Sequence, residues 1–397
     1  MIYLDHAATT PTDKEVVKAM LPFFTQCFGN PSSLYKLGRE AAQAVNQARE
    51  KVAQILGVGN EEIIFTAGGT ESDNLAIFGV ANNFIGQEEK YHLITTQIEH
   101  PAVLNAFRAL EKKGFQVTYL PVNKFGLVSA QEVMKALRPN TILVSIMYAN
   151  NEIGTVQPIS EIAKVVKNYR HIQQIDKVSA QPFYPIFHTD ACQAAGYLDL
   201  KIDRLGVDLM TLNGSKIYGP KQIGVLFKRK KIVLKPVLYG GEQELKLRPG
   251  TQNVPAIVGF AKALELVEKN KSKENKRLEN IRDYFIKKLL EIPETILNGH
   301  PQKRLPNNVN VTFKHIEGES IMLMLDAKGI YASTGSACHS LNLNPSHVIL
   351  AIGQPAEYAH GSMRFTMGKT TTKKDIDKVL KVLPKIVGRL RKISAIN

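Results

Sequence analysis

Short apolar runs rich in β-branched residues recur along the chain, each parted from the next by a stretch of helical periodicity. The runs are Ile63-Ile64-Phe65, His92-Leu93-Ile94-Thr95, Val117-Thr118-Tyr119-Leu120, Ile142-Leu143-Val144-Ser145-Ile146, Ile186-Phe187-His188-Thr189 and Val225-Leu226-Phe227. Between them, helical patterns fall near 40–56, 101–112, 129–137 and 159–169. Parallel neighbours need a crossover, most often a helix, so this alternation predicts a largely parallel sheet covered by helices. Gly68-Gly69, Pro101, Pro121, Pro139 and Pro158 sit at the junctions, where the chain must turn. The pattern changes at about Pro255. A long charged helical stretch runs to about Leu290, followed by Val309-Asn310-Val311-Thr312-Phe313, a helix near 319–328 and a terminal helix near 372–394. This second part reads as an α+β domain, completed by the first residues of the chain.

The 397 residues are enough for one large and one smaller domain, and 44% hydrophobic with 22% charged residues is the balance of a globular protein. No apolar run reaches the length of a membrane span. The start, Met1-Ile2-Tyr3-Leu4-Asp5-His6, lacks the basic-then-apolar order of a secretion signal, so a cytoplasmic location with no membrane partner is expected. Three cysteines, Cys27, Cys192 and Cys338, are too few and too scattered for a disulfide framework or a metal-binding pair. Each is a buried apolar residue or a working thiol. The net charge of +15 is spread widely, and its densest helical stretch, Lys269 to Lys288, carries Glu274, Glu279 and Asp283 among the lysines. That is a solvated face, and nucleic acid is not the expected partner.

Three segments carry chemistry. In Phe65-Thr66-Ala67-Gly68-Gly69-Thr70-Glu71 a strand runs through two glycines into a helix, which is either a capped turn or an anion site at a helix N-terminus. In Asn213-Gly214-Ser215-Lys216 a lysine follows a strand, either as a solvated charge or placed for a Schiff base with an aldehyde cofactor. In Phe187-His188-Thr189-Asp190 an acid closes an apolar strand, either as a helix cap or at a ligand crevice.

Together with other fragments these segments resemble one family. The order is Tyr3-Leu4-Asp5-His6-Ala7-Ala8-Thr9-Thr10-Pro11, Phe28-Gly29-Asn30-Pro31-Ser32-Ser33, the Gly-Gly-Thr-Glu-Ser turn, Glu99-His100, Asn150-Asn151-Glu152-Ile153-Gly154 and His188-Thr189-Asp190. Lys216-Ile217-Tyr218-Gly219-Pro220-Lys221, Arg248-Pro249-Gly250-Thr251, Ser336-Ala337-Cys338 and Arg364-Phe365 complete it. The series is similar to the cysteine desulfurases of the NifS/IscS type, in the class V aminotransferase group, over essentially the whole chain.

The resemblance implies an α/β protein of pyridoxal 5'-phosphate (PLP) fold type I. Its large PLP-binding domain, 15–255, would carry a mainly parallel seven-stranded sheet flanked by helices. Residues 1–14 with 256–397 would form a smaller α+β domain bearing the catalytic cysteine loop. The implied reaction turns L-cysteine into L-alanine and leaves the sulfur as a persulfide on Cys338. An acceptor protein, such as an iron–sulfur scaffold or a thiolation enzyme, would then take it. The resemblance also assigns roles. Lys216 would hold PLP as a Schiff base and move the substrate's α-proton, while His100 would stack on the ring and take part in proton transfer. Asp190 would pair with the pyridine nitrogen, Asn151 and Gln193 would bond the ring oxygen, and Gly69, Thr70, Asn213 and Ser215 would grip the phosphate. Thr251 would complete that grip from the other subunit of a homodimer, and Arg364 would clamp the substrate carboxylate, with Asn151 beside it. Cys338 lies in a polar stretch running through Pro345, suited to a reactive thiol, whereas Cys27 and Cys192 are expected to be structural.

Several positions depart from the family's habit. Ser215 stands where a histidine usually precedes the cofactor lysine, and Asn213 where a serine is usual; both residue types can still donate to a phosphate. Tyr35 replaces a common histidine and His6 a frequent tyrosine, and the segment Asn168–Pro185 is longer than usual. A selenocysteine lyase on the same scaffold is the alternative, since Arg248-Pro249-Gly250-Thr251 and Ala337-Cys338-His339-Ser340 also resemble that branch.

Overall fold

The computed structural model describes residues 1–175, 184–334 and 345–394. Cys338 and part of the Asn168–Pro185 segment lie outside the described residues. In chain order the described strands are β1 Ile2–Tyr3, β2 Ile63–Thr66, β3 His92–Thr96, β4 Gln116–Leu120, β5 Thr141–Ser145, β6 Ile186–Asp190, β7 Leu209–Asn213 and β8 Gly224–Lys228. They continue with β9 Thr295–Leu297, β10 Asn308–Phe313, β11 Ile330–Tyr331 and β12 Ser362–Thr366.

Seven strands form one sheet in the order β2-β8-β7-β6-β5-β3-β4. Neighbours pair in parallel except around β8, which runs antiparallel to both β2 and β7. Helices cover both faces, so β2, β3, β5, β6 and β8 are buried at every position and show no alternation of buried and exposed residues. The edge strand β4 is only half-buried.

The helix Lys36–Leu56 starts four residues before the periodicity alone indicates. A glycine in its first turn hides that start. A Cβ on Gly38 would lie 2.2 Å from the Ser33 carbonyl oxygen, so close packing dictates a residue that helix propensity disfavours. The helix Ile159–Ile175 is likewise longer than its pattern.

The 36-residue helix Val254–Leu289 links the two halves of the molecule. Its N-terminal half packs on the large sheet, with the Phe260 and Phe65 rings edge to face at 6.5 Å. Its far half brings Phe285 against Phe365 of β12 at 5.3 Å. There β12-β10-β9 form a small antiparallel sheet, and β1 pairs in parallel with β11, so the chain's first residues join its last third. Among the described residues no helix is long and apolar enough to cross a membrane.

Candidate active site

The C-terminal ends of the parallel strands converge on a cavity of about 340 Å³. In an open α/β sheet this edge is where turns leave backbone groups and polar side chains unpaired with the sheet. Of the twelve expected site residues, nine line it: Gly69, Thr70, His100, Asn151, Asp190, Gln193, Asn213, Lys216 and Arg364. Ser215 and Thr251 do not, and Cys338 lies outside the described residues. Ser215 turns its hydroxyl to Asn213 Oδ1 at 3.1 Å. Thr251 is exposed and lines a separate recess of about 310 Å³ with Arg248 and Gln222.

Local structure fixes each group. Asp190 ends β6, where its Oδ1 accepts the Cys192 amide at 2.8 Å. Lys216 follows β7 in a single turn, and its Nζ donates to the Ala8 carbonyl at 2.6 Å. His100 caps the helix Pro101–Lys112, its Nδ1 accepting the Ala102 amide at 3.1 Å, with Pro101 preset for the first turn. A nitrogen that accepts cannot carry the proton, so the neutral ring is protonated at Nε2.

Arg364 is buried on β12, with Nη2 on Asp5 Oδ1 at 2.9 Å and Nη1 on the Asn151 carbonyl at 3.0 Å. Its Nε is buried without a hydrogen-bond partner. The rest of the Asn151 turn is held from the same side of the molecule. The Glu152 carbonyl accepts from Asn308 and Asn310, that of Ile153 from Arg304, and that of Gly154 from the Leu305 amide. Four consecutive carbonyls are thus met by residues between 304 and 364.

Acids to which the sequence assigned no role lie at or next to the cavity. Asp73 and Glu152 line it, and Glu99 lies just behind His100. Burial, then the charge of Asp190, lifts the Asp73 carboxyl well above the usual range. Burial raises Glu99 to about 8 and Glu152 to about 7. Ser346 donates to Glu152 Oε2 at 2.6 Å, and His347 Nε2 lies 3.0 Å from the Glu99 carbonyl, placing His347 on the cavity wall. One signal could have found Asp73: it lies one helical turn after Gly69 and Thr70, on the same face. His347, far from the other wall residues in sequence, had none. Cys192 also lines the cavity, but burial, then Asp190, pushes its thiol up, which keeps it protonated and un-nucleophilic.

These residues fit PLP. An acid at a strand end suits a pyridinium, a lysine amine suits an aldehyde, and amides at a helix N-terminus suit a phosphate. A Cβ on Gly69 would lie 2.8 Å from Cys192 Sγ and close the volume beside that helix. Sheet order, lysine turn and acid together define a PLP-dependent protein of fold type I.

Comparison with known proteins agrees. Residues 2–379 match the model of the "Aminotransferase class-V" family. The chain is 52% identical over 396 residues to a cysteine desulfurase IscS of Methanosarcina thermophila, covering 100% of this chain and 94% of that protein. It is 50% identical over 394 residues to a cysteine desulfurase IscS of Dictyoglomus turgidum, covering 99% of this chain and 96% of that protein. A solved NifS-like protein superposes with a TM-score of 0.88 at 36% identity, over 98% of this chain and all of that one. The structure of SspA in complex with cysteine gives 0.79 at 38% identity, over 92% and 99% of the two chains. The chain belongs to the class V aminotransferase family.

Proposed function

We propose that the protein is a PLP-dependent cysteine desulfurase, which converts L-cysteine to L-alanine and passes the sulfur on for iron–sulfur cluster or thio-cofactor and tRNA synthesis. The observation that carries this reading is the convergence of Lys216, Asp190, His100 and Arg364 on one cavity, in a chain about half identical to desulfurases. Selenocysteine lyase is not favoured, since the relatives carry the desulfurase name.

When bound, PLP supplies an electron sink for the pair released as the substrate's Cα–H bond breaks. The chain's residues do the rest. Lys216 brings its amine to the cavity and moves the α-proton. Asp190 supplies the anion that keeps a pyridine nitrogen protonated. Arg364, already oriented by Asp5 and Asn151, presents its guanidinium on the cavity wall to the substrate carboxylate. The Cys338 thiolate attacks the substrate's sulfur, so the C–S bond breaks, an S–S bond forms and a proton takes sulfur's place on carbon. One thiol and one cysteine become one persulfide and one alanine.

Thr251, exposed and outside the cavity, supports a homodimer in which it reaches the partner's site. We divide the chain into a large domain, 15–255, and a small one made of 1–14 with 256–397, and place the protein in the cytoplasm with an acceptor protein as partner.

The test is an absorbance spectrum of purified protein with PLP, before and after cysteine, with alanine and sulfide quantified. A visible cofactor band that changes as alanine appears is expected. Cys338→Ser is expected to keep the band and lose turnover by about 10³-fold or more. A protein with no band, or a serine variant with full activity, refutes the proposal.

A further inference from the structure

Asn213 ends β7 and lines the cavity, whereas Ser215, two residues on, does not. Asn213 Oδ1 accepts the Ser215 backbone N–H at 3.1 Å and the Ser215 hydroxyl at 3.1 Å. A backbone N–H can only donate. The oxygen of the carboxamide therefore faces the Ser215 turn, and its NH₂ faces the opposite way. On that side a Cβ at Gly69 would lie 3.3 Å from Asn213 Nδ2, so the amide nitrogen rests over the first residue of the helix Gly69–Ala81. First-turn amides of a helix have no partner within it, and the positive end of the helix dipole adds to them.

The Ser215 turn is itself anchored. Thr10 donates to the Ser215 carbonyl through both its amide and its hydroxyl, each at 2.9 Å. With its own hydroxyl proton given to Asn213, Ser215 has no donor left for an anion. Asn213, with its acceptor tied off, offers only donors.

We propose that the cofactor's phosphate is held by the Asn213 amide at the N-terminus of the Gly69–Ala81 helix, and that Ser215 is a positioning residue which orients that amide and is not itself a phosphate ligand. The inference rests on the PLP reading above. It assigns this chain a cup with a neutral, donor-only amide, which needs no titrating group to receive a dianion.

The test is equilibrium dialysis of apoprotein against PLP and against pyridoxal, which lacks the phosphate, with ³¹P spectra of bound PLP. Asn213→Ala is expected to weaken PLP by about tenfold or more, the worth of a hydrogen bond to a charged group, and to shift the ³¹P signal. Asn213→Asp, which turns a carboxylate on the phosphate, is expected to weaken it at least as much. Pyridoxal affinity should stay within about threefold in both. Ser215→Ala keeps the backbone hold on Oδ1 and should stay within about threefold for PLP, as should Ser215→Thr. The inference is overturned if Ser215→Ala weakens PLP as much as Asn213→Ala, or if Asn213→Ala weakens pyridoxal equally. A wild-type protein that binds neither compound overturns the cofactor reading, and this inference with it. A wild-type protein that binds PLP while all variants match it overturns this inference alone.

Discussion

His100 combines a structural and a chemical task that can be separated. As the cap of the Pro101–Lys112 helix it needs an acceptor, and the imidazolium, with two N–H groups, has none. Capping thus favours the neutral ring with its proton on Nε2. His100→Asn keeps a capping oxygen, so its stability in urea is expected to match wild type, whereas His100→Ala should lose about 1 kcal/mol. Both should lose turnover. Equal destabilisation by the two variants would remove the capping argument. Glu152 offers a second test at this scale. Burial raises its carboxyl from 4.5 to about 7, so the folded protein holds a proton that the unfolded chain releases at lower pH. Its burial therefore weakens the fold progressively as pH rises from about 4.5 to about 7, by up to ~3 kcal/mol. Glu152→Gln keeps an acceptor for Ser346 and cannot ionise. Unfolding of the holoprotein in urea at pH 5 and pH 8 should show the variant gaining on wild type at the higher pH. A constant difference would show that Glu152 does not titrate there.

At the level of elements, sequence and structure agree where the physics is local. The buried runs of β2, β3, β5, β6 and β8 declare themselves because both faces of a covered parallel sheet are apolar. Pro101 marks a helix start for the same local reason. The Lys36–Leu56 start was hidden because Gly38 answers to the Ser33 backbone and not to helix propensity. The site follows the same division. Lys216, Asp190 and the glycine turn stand at strand ends, where a motif and its place coincide. His347 and Glu152 reach the cavity through contacts between distant segments, Ser346 with Glu152 and His347 with the Glu99 carbonyl. No pattern along the chain encodes those meetings. Ser215 was legible as a polar neighbour of the lysine, but the direction of its hydroxyl was not.

At the scale of the whole molecule, the position of Thr251 makes the proposed dimer testable without any new structure. If each site draws Lys216 from one subunit and Thr251 from the other, a heterodimer of Lys216→Ala with Thr251→Ala places both lesions in one site and none in the other. Co-expressing the two variants should restore cofactor retention and turnover at one site per dimer, seen as about half the wild-type activity of purified heterodimer. Activity no higher than the sum of the separate variants would place Thr251 in its own subunit's site, or in neither. The row of carbonyls from Asn151 to Gly154 adds a mechanical consequence. Their five bonds go to the 304–364 region, so the Asn151 turn is gripped from the small-sheet side although the chain around it belongs to the large one. Were the two sheets to pivot on the long helix, Asn151 and Arg364 would swing as one jaw. Asp190 and Lys216 would stay behind as the anvil.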